Sequence, residues 1–254
     1  MTTPAPLTIL TGASRGLGRA MAEQRLRTGH RLLALARRPD PALADVARDA
    51  GASLEQWAVD LARPAEVAAR LEAWLAAIAP ADVAAATLIN NAALLTTPGP
   101  ITATDADALA DALRVGLEAP VLLTRAFLRA TDGWSVPRKV LNVSSGLGRF
   151  AMAGSAPYCA VKAGLDHFSR ALALDEALKA NGAKVVSLAP GVIDTDMQGQ
   201  LRGADPAVFV EQHRFAAMKS GGALDSPEAA AAKVLAMLDR ADFGAKPIAD
   251  VREP

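Results

Sequence analysis

The chain has 254 residues, 51% of them hydrophobic, with 27 basic side chains balanced by 27 acidic ones. That is enough apolar material for one large α/β core, and the zero net charge offers nothing to nucleic acid or an anionic membrane surface. One cysteine, Cys159, excludes an intrachain disulfide framework and fits a reducing cytoplasm, and three widely separated histidines form no zinc-binding cluster, so no metal is expected. MTTPAPLTILTG at the N-terminus lacks a basic region followed by a long apolar run, and no apolar stretch approaches the ~20 residues of a membrane span. A soluble cytoplasmic protein is the expectation.

In chain order, Leu7 to Leu10 is a short apolar run that predicts a buried strand, followed by TGASRGLG over Thr11 to Gly18. Its glycines, Gly12, Gly16 and Gly18, let backbone amides and a helix N-terminus come close to a diphosphate. A helix from Leu17 to Thr28, stopped by Gly29, and a strand from Arg31 to Ala36 complete a β-α-β unit, the setting such a loop requires. Arg37 and Arg38 stand where a dinucleotide site selecting a free ribose would carry an acid. With Arg15 in the Gly-rich loop, they suit a 2′-phosphate, because a guanidinium fork matches phosphate oxygens. NADP(H) is therefore expected over NAD(H), with a solvated turn as the plainer reading of the two arginines.

Pro41 to Ala50 reads as a helix stopped by Gly51, and Leu54 to Val59 as a strand. Asp60 at the strand end can accept from an adenine amine or cap the next helix. Pro64 to Ala79 is an Ala-rich helix. Ala86 to Ile89 is a fourth strand, ending in Asn90-Asn91-Ala92-Ala93, where small and amide residues let a cofactor lie close. One long helix is expected from Thr104 to Thr131.

Val140 to Val143 is the fifth strand, and Ser145 follows at the strand end, where open α/β sheets place their ligand crevices. Thirteen residues later stands Tyr158, the protein's only tyrosine, with Lys162 four residues on. Positions i and i+4 share a helix face. Phenol, ammonium and hydroxyl are the parts for protonating a carbonyl oxygen, and a neighbouring lysine charge would lower the phenol from its ordinary value of about 10. The spacing alone is equally that of a half-buried ring beside a snorkelling charge. The helix is expected to run to Ala180, then a strand from Lys184 to Ala189, broken by Pro190-Gly191.

From Val192 to Gly222 the periodicity weakens, which reads as a helical lid over a substrate or as an excursion packed on the core. Pro227 to Arg240 is a last amphipathic helix, and Lys246 to Ala249 a short edge strand. Strands alternating with helices, without linker or repeat, predict one domain over residues 1–254. Its architecture would be α/β, a doubly wound parallel sheet with helices on both faces. Leu94, Leu95, Phe150, Met152 and Met197 are candidate walls for an apolar substrate.

TGASRGLG, Asp60, NNAA, Ser145, Tyr158-x-x-x-Lys162 and PGVIDT, in this order over the whole chain, resemble the short-chain dehydrogenase/reductase family. The resemblance implies a single Rossmann-type sheet of about seven strands that binds NAD(P). It implies catalysis by Ser145, which orients the carbonyl, Tyr158, which donates the proton, and Lys162, which activates the phenol and anchors the nicotinamide ribose. Cofactor contacts are implied for Gly12, Ser14, Arg15, Gly16, Leu17 and Gly18, for Arg37, Asp60, Leu61 and Asn91, and for Pro190, Gly191, Ile193 and Thr195. TLINNA, EAPVLLTRAF, APYCAVKAGLDHFSRALALDE and GVIDTDMQ are most similar to the sepiapterin-reductase-like and benzil-reductase branch, which reduces α-dicarbonyls and aryl ketones with NADPH.

Two departures stand out. The family's V-N-L in the long helix is here Val115-Gly116-Leu117, without the asparagine held to support a helix kink and the water that links the lysine to solvent. The tail from Phe243 lacks the usual D-G-G, so the expected homo-oligomer is a dimer or a tetramer. An NADPH-dependent carbonyl reductase is the leading expectation; a cofactor-sensing binding protein with little turnover is the alternative, favoured only by Gly116.

Overall fold

A computed structural model describes residues 4–253. Residues 1–3, at the head of the N-terminal stretch read above, and Pro254, at the end of the tail, lie outside the description. Seven parallel strands form one sheet in the order β3-β2-β1-β4-β5-β6-β7. They are β1 (Ala5–Thr11), β2 (Arg31–Ala36), β3 (Leu54–Ala58), β4 (Val83–Asn90), β5 (Arg138–Val143), β6 (Lys184–Ala189) and β7 (Ile248–Asp250). The order reverses between β1 and β4, so their C-terminal ends diverge and open a crevice.

The strand side chains alternate with period two, which divides the core between the two faces. Leu33 and Leu35 of β2 point to the face covered by α3 (Pro64–Ala76) and α5 (Ala119–Thr131), joining Leu71, Leu123 and Phe127. Leu32 and Ala34 point to the other face, onto Met21 of α1 (Gly16–Arg27), Leu43 of α2 (Ala42–Ala50) and Val234 of α9 (Pro227–Asp239). Such two-sided burial is why these strands read as unbroken apolar runs. The fold is Rossmann-type, as expected.

Several boundaries differ from the sequence reading. β4 begins at Val83 rather than Ala86, because the alanines before it lack the β-branched bulk that marks a strand. The edge strand β7 starts at Ile248, after Pro247, whose missing N–H cannot enter a ladder. The expected single helix after β4 is α4 (Ala106–Leu113), capped by the Asp105 carboxylate, then a π turn over Arg114–Glu118, then α5. α6 (Ala156–Ala177) begins two residues before Tyr158. Residues 192–222 contain two short helices, α7 (Asp196–Arg202) and α8 (Gln212–Ser220). No helix among the described residues is long and apolar enough to cross a membrane.

Candidate active site

The crevice is a cleft of about 1160 Å³, and every site residue chosen from the sequence lines it. Gly12, Ser14, Arg15, Gly16, Leu17 and Gly18 form one wall; Arg37, Asp60 and Leu61 lie toward the β2–β3 edge. Asn91 stands at the end of β4; Ser145, Tyr158 and Lys162 face it; Pro190, Gly191, Ile193 and Thr195 follow β6.

The Gly-rich loop is built by close approach. A β-carbon on Gly18 would fall 2.1 Å from the Gly12 carbonyl oxygen, and Gly12 itself has φ +70°, so neither position accepts a side chain. Asn91 ties the loop to β4: its side-chain amide donates to the carbonyls of Thr11 and Gly12 at 3.0 and 3.3 Å. The N-terminus of α1 thus points its free backbone amides into the cleft, a position suited to phosphate. Arg15 pairs with Asp196 of α7 at 2.9 Å, joining the loop to the segment after β6. Arg38, with Ser14, Arg15 and Arg19, also borders a shallower depression beside the loop, which Arg37 does not reach. The Asp60 carboxylate accepts from the Ala62 amide at 3.0 Å, so it caps the turn before α3 while still facing the cleft.

Ser145 ends β5 in extended conformation (φ −158°), and its hydroxyl accepts from the Leu147 amide at 3.2 Å as a short 3₁₀ turn begins. The same side chain hydrogen-bonds the Tyr158 phenol across the cleft, which pulls the phenol's acidity up. Burial outweighs this and, with the nearby Cys159, pushes the Tyr158 phenol up to about 12. The expected lowering by Lys162 is absent, which corrects the sequence reading. The Lys162 ammonium donates to the Val143 carbonyl at 2.7 Å and sits 5.5 Å from the centre of the tyrosine ring, not against the phenol oxygen. Lys162 is only 3% exposed; burial brings its ammonium down to about 8, with Asp166 acting in the opposite direction.

Gly116 lies in the π turn, buried against α6, where a β-carbon would fall 2.5 Å from Val161 Cγ1. One turn further along α6, Gly164 would meet Leu117 in the same way, at 3.0 Å. The helix therefore has the packing reason for its glycine that the sequence does not display.

Leu94, Leu95, Phe150, Met152 and Met197 all line the wider end of the cleft. Residues 192–222 divide between the two readings offered for them. Met197, Leu201 and Met218 face the cleft, while Phe209 is fully buried and stacks on Phe215 at 5.8 Å. Sequence reasoning missed Asp111, Val115, Arg214 and Arg252, which line the cleft from α4, the π turn, α8 and the tail; nothing local in the sequence marks them. It also missed Asp166, although that residue stands one helical turn after Lys162.

A family model described as short chain dehydrogenase matches residues 7–205. The chain belongs to that family. This short-chain dehydrogenase is 33% identical over 247 residues to a benzil reductase, (S)-benzoin forming, of Bacillus subtilis, covering 97% of the chain and 98% of the relative. It is 31% identical over 247 residues to the sepiapterin reductase of Mus musculus, covering 92% of each. Among solved structures it resembles a metagenomic short-chain oxidoreductase in complex with NADP, with a TM-score of 0.72, 26% identity, and coverage of 97% and 96%. The dehydrogenase is thus an oxidoreductase of the branch that the sequence resembles.

Proposed function

We propose that this dehydrogenase works as an NADPH-dependent carbonyl reductase on a ketone or α-dicarbonyl, within one domain whose residues 192–222 act as a substrate lid. The observation that carries the reading is a protonated phenol at the bottom of a largely apolar cleft, hydrogen-bonded to Ser145. A phenol held near 12 keeps its proton at neutral pH and has it ready for a carbonyl oxygen that gains charge, which favours reduction over alcohol oxidation. NADP bound in the structural relative and the benzil and sepiapterin reductases among the sequence relatives support the same reading.

The residues fit a dinucleotide. The Gly-rich loop is a cradle that a β-carbon at Gly12 or Gly18 would fill, and Arg15, Arg37 and Arg38 offer cations at the end where a 2′-phosphate would lie. Bound NADPH supplies the hydride; NAD(H) would fit the same cradle without using the arginines. Ser145 donates to the substrate oxygen and orients it. Tyr158 gives its proton to that oxygen as charge develops there. Lys162 holds a positive charge beside the phenol and offsets the phenolate left after transfer. The aliphatic and aromatic walls exclude water and favour an apolar substrate, since burial of apolar surface gains about 25 cal/mol per Å².

The sensor alternative rested on the missing asparagine, and the π turn at Gly116 is a helix distortion at that same position. π turns inside α-helices occur often at functional sites and leave a carbonyl without its regular partner, available to water. We also propose a homodimer or homotetramer in the cytoplasm; Leu174 and Leu178, 71% and 88% exposed on α6, are an apolar surface in need of a cover. Size-exclusion chromatography with light scattering tests the assembly. NADPH consumption over a panel of dicarbonyls, aryl ketones, quinones and pterins tests the activity, and the absence of turnover across the whole panel would leave the sensor reading.

A further inference from the structure

Asp166 is a carboxylate that the proposed chemistry does not use, 1% exposed and one turn of α6 beyond Lys162. Its Oδ1 accepts two hydroxyl hydrogen bonds, from Ser144 at 2.5 Å and from Ser187 at 2.6 Å. Ser144 immediately precedes Ser145, and Ser187 belongs to β6. Its Oδ2 has no hydrogen-bond partner among the described residues; Arg149 Nε stands 3.5 Å away, and a β-carbon on Gly148 would lie at 2.9 Å. Gly148 and Arg149 belong to the loop that carries Ser145. One carboxylate therefore meets β5, its loop, β6 and α6 at once.

The surrounding charges are few and can be named. Lys162, Tyr158 and Cys159 lie on the same helix, with the Lys162 ammonium bonded to the Val143 carbonyl. Arg149 approaches from the loop and is itself held by the Ala249 carbonyl and, at 3.8 Å, by Asp250 of β7. Arg252 neutralises Asp250 from the tail at 2.6 Å, and Asp111 faces the cleft from α4. Of these, Asp166 is the group whose charge supports the Lys162 ammonium against burial.

We propose that Asp166 is the positioning residue of the Ser145–Tyr158–Lys162 group. Through Ser144 it fixes the Ser145 loop against α6, and its negative charge keeps the buried Lys162 ammonium charged. The proposal rests on the reductase reading for its consequence in catalysis, but not for its electrostatics. A buried ammonium without a counter-charge sheds its proton, and Lys162 without a charge no longer offsets phenolate.

Asp166→Asn retains an oxygen for both serine hydroxyls and removes the charge. With seven lysines in the sequence, carbon-13 labelling at lysine Cε and comparison with Lys162→Arg would isolate the Lys162 titration in cofactor-free protein. The wild type should titrate near 8, and Asp166→Asn at least about one pH unit lower, which is a tenfold rise in neutral fraction. The alkaline limb of kcat for carbonyl reduction should move down with it. Ser187→Ala, which removes one clamp bond and no charge, should leave the Lys162 titration in place. If Asp166→Asn does not fold, Arg149→Gln supplies the reciprocal arm: loss of the cation competing for Asp166 should move Lys162 upward. An unmoved Lys162 in Asp166→Asn, or in Arg149→Gln where that arm is used, overturns the proposal whatever the activity. The predicted shift in a protein that reduces nothing on the panel upholds the electrostatic role and removes only the reductase reading.

Discussion

Val161 of α6 occupies the space that any side chain at Gly116 would need, 2.5 Å from where its β-carbon would stand. The glycine gives up about 1 kcal/mol of helix propensity relative to alanine, and in return α6 packs directly on the π turn. This relationship joins the helix that carries Tyr158 and Lys162 to the one position where the chain departs from its family's pattern.

Gly116→Ala should therefore destabilise the protein by about 1–3 kcal/mol, as overpacking does, in spite of its better propensity. Val161→Ala in the same chain should restore part of the loss. A denaturant double-mutant cycle measures the coupling; additive effects would mean that the two side chains do not compete. For the same reason Gly116→Asn tests the proton relay cleanly only in the Val161→Ala background. There kcat should change by less than about tenfold, or about 1.4 kcal/mol of barrier.

NADPH should be preferred over NADH, and Arg38 with Arg15 should matter more than Arg37, which the depression beside the Gly-rich loop does not include. Charge-assisted hydrogen bonds contribute roughly 1.5–3 kcal/mol, or about 10- to 100-fold in affinity. The ratio of kcat/KM for the two cofactors should fall by that order in Arg38→Ala and by less in Arg37→Ala. Equal values in the wild type would remove the preference altogether.

Far from the cleft, His30 is held neutral. Burial, and next the Arg25 guanidinium, bring it down from 6.5 to about 4, against the opposing pull of Asp239. Its Nδ1 lies 2.9 Å from the Thr8 hydroxyl. The unfolded chain takes up this proton near 6.5 and the folded one only near 4, so stability is complete above about pH 6.5 and declines as pH falls toward 4. The loss amounts to roughly 3 kcal/mol at ~1.4 kcal/mol per pH unit. His30→Gln should flatten this part of a stability–pH curve measured by urea unfolding; an unchanged slope would assign the acid sensitivity elsewhere.

The substrate should be a mostly apolar ketone or α-dicarbonyl. Leu94, Leu95, Phe150, Met152 and Met197 offer a polyol no partners for its hydroxyls, and unpaired polar groups are costly to bury. On the carbonyl panel, kcat/KM should rise with apolar surface, and Leu95→Asn should lower it most for the least polar substrates. A sugar lactone or polyol as the best substrate would contradict this view of the walls.

The sheet was legible in the sequence because its strands are buried on both faces and read as apolar runs bounded by glycines, as Leu32 to Leu35 do. The cofactor cradle was legible because Gly12, Gly16 and Gly18 stand in tight succession, and Tyr158 and Lys162 because four residues are one helical turn. Three features were not. The π turn depends on Val161 meeting Gly116, forty-five residues away in sequence. Asp166 acquires its role only when Ser144 and Ser187 come from separate strands to the same oxygen. The phenol shifts upward rather than downward because the Lys162 ammonium turns to the Val143 carbonyl, an orientation that no spacing encodes.

The most direct test of the account is to follow NADPH oxidation with an aryl α-diketone such as benzil in the wild type and in Tyr158→Phe, with NADPH binding measured on both. The account predicts turnover in the wild type, a loss of about 10²–10⁴-fold or more in the variant, and nearly equal cofactor affinity, because the phenol acts on the transition state rather than on binding. Turnover within about tenfold of the wild type in Tyr158→Phe would contradict it, since a positioned proton donor contributes more than that.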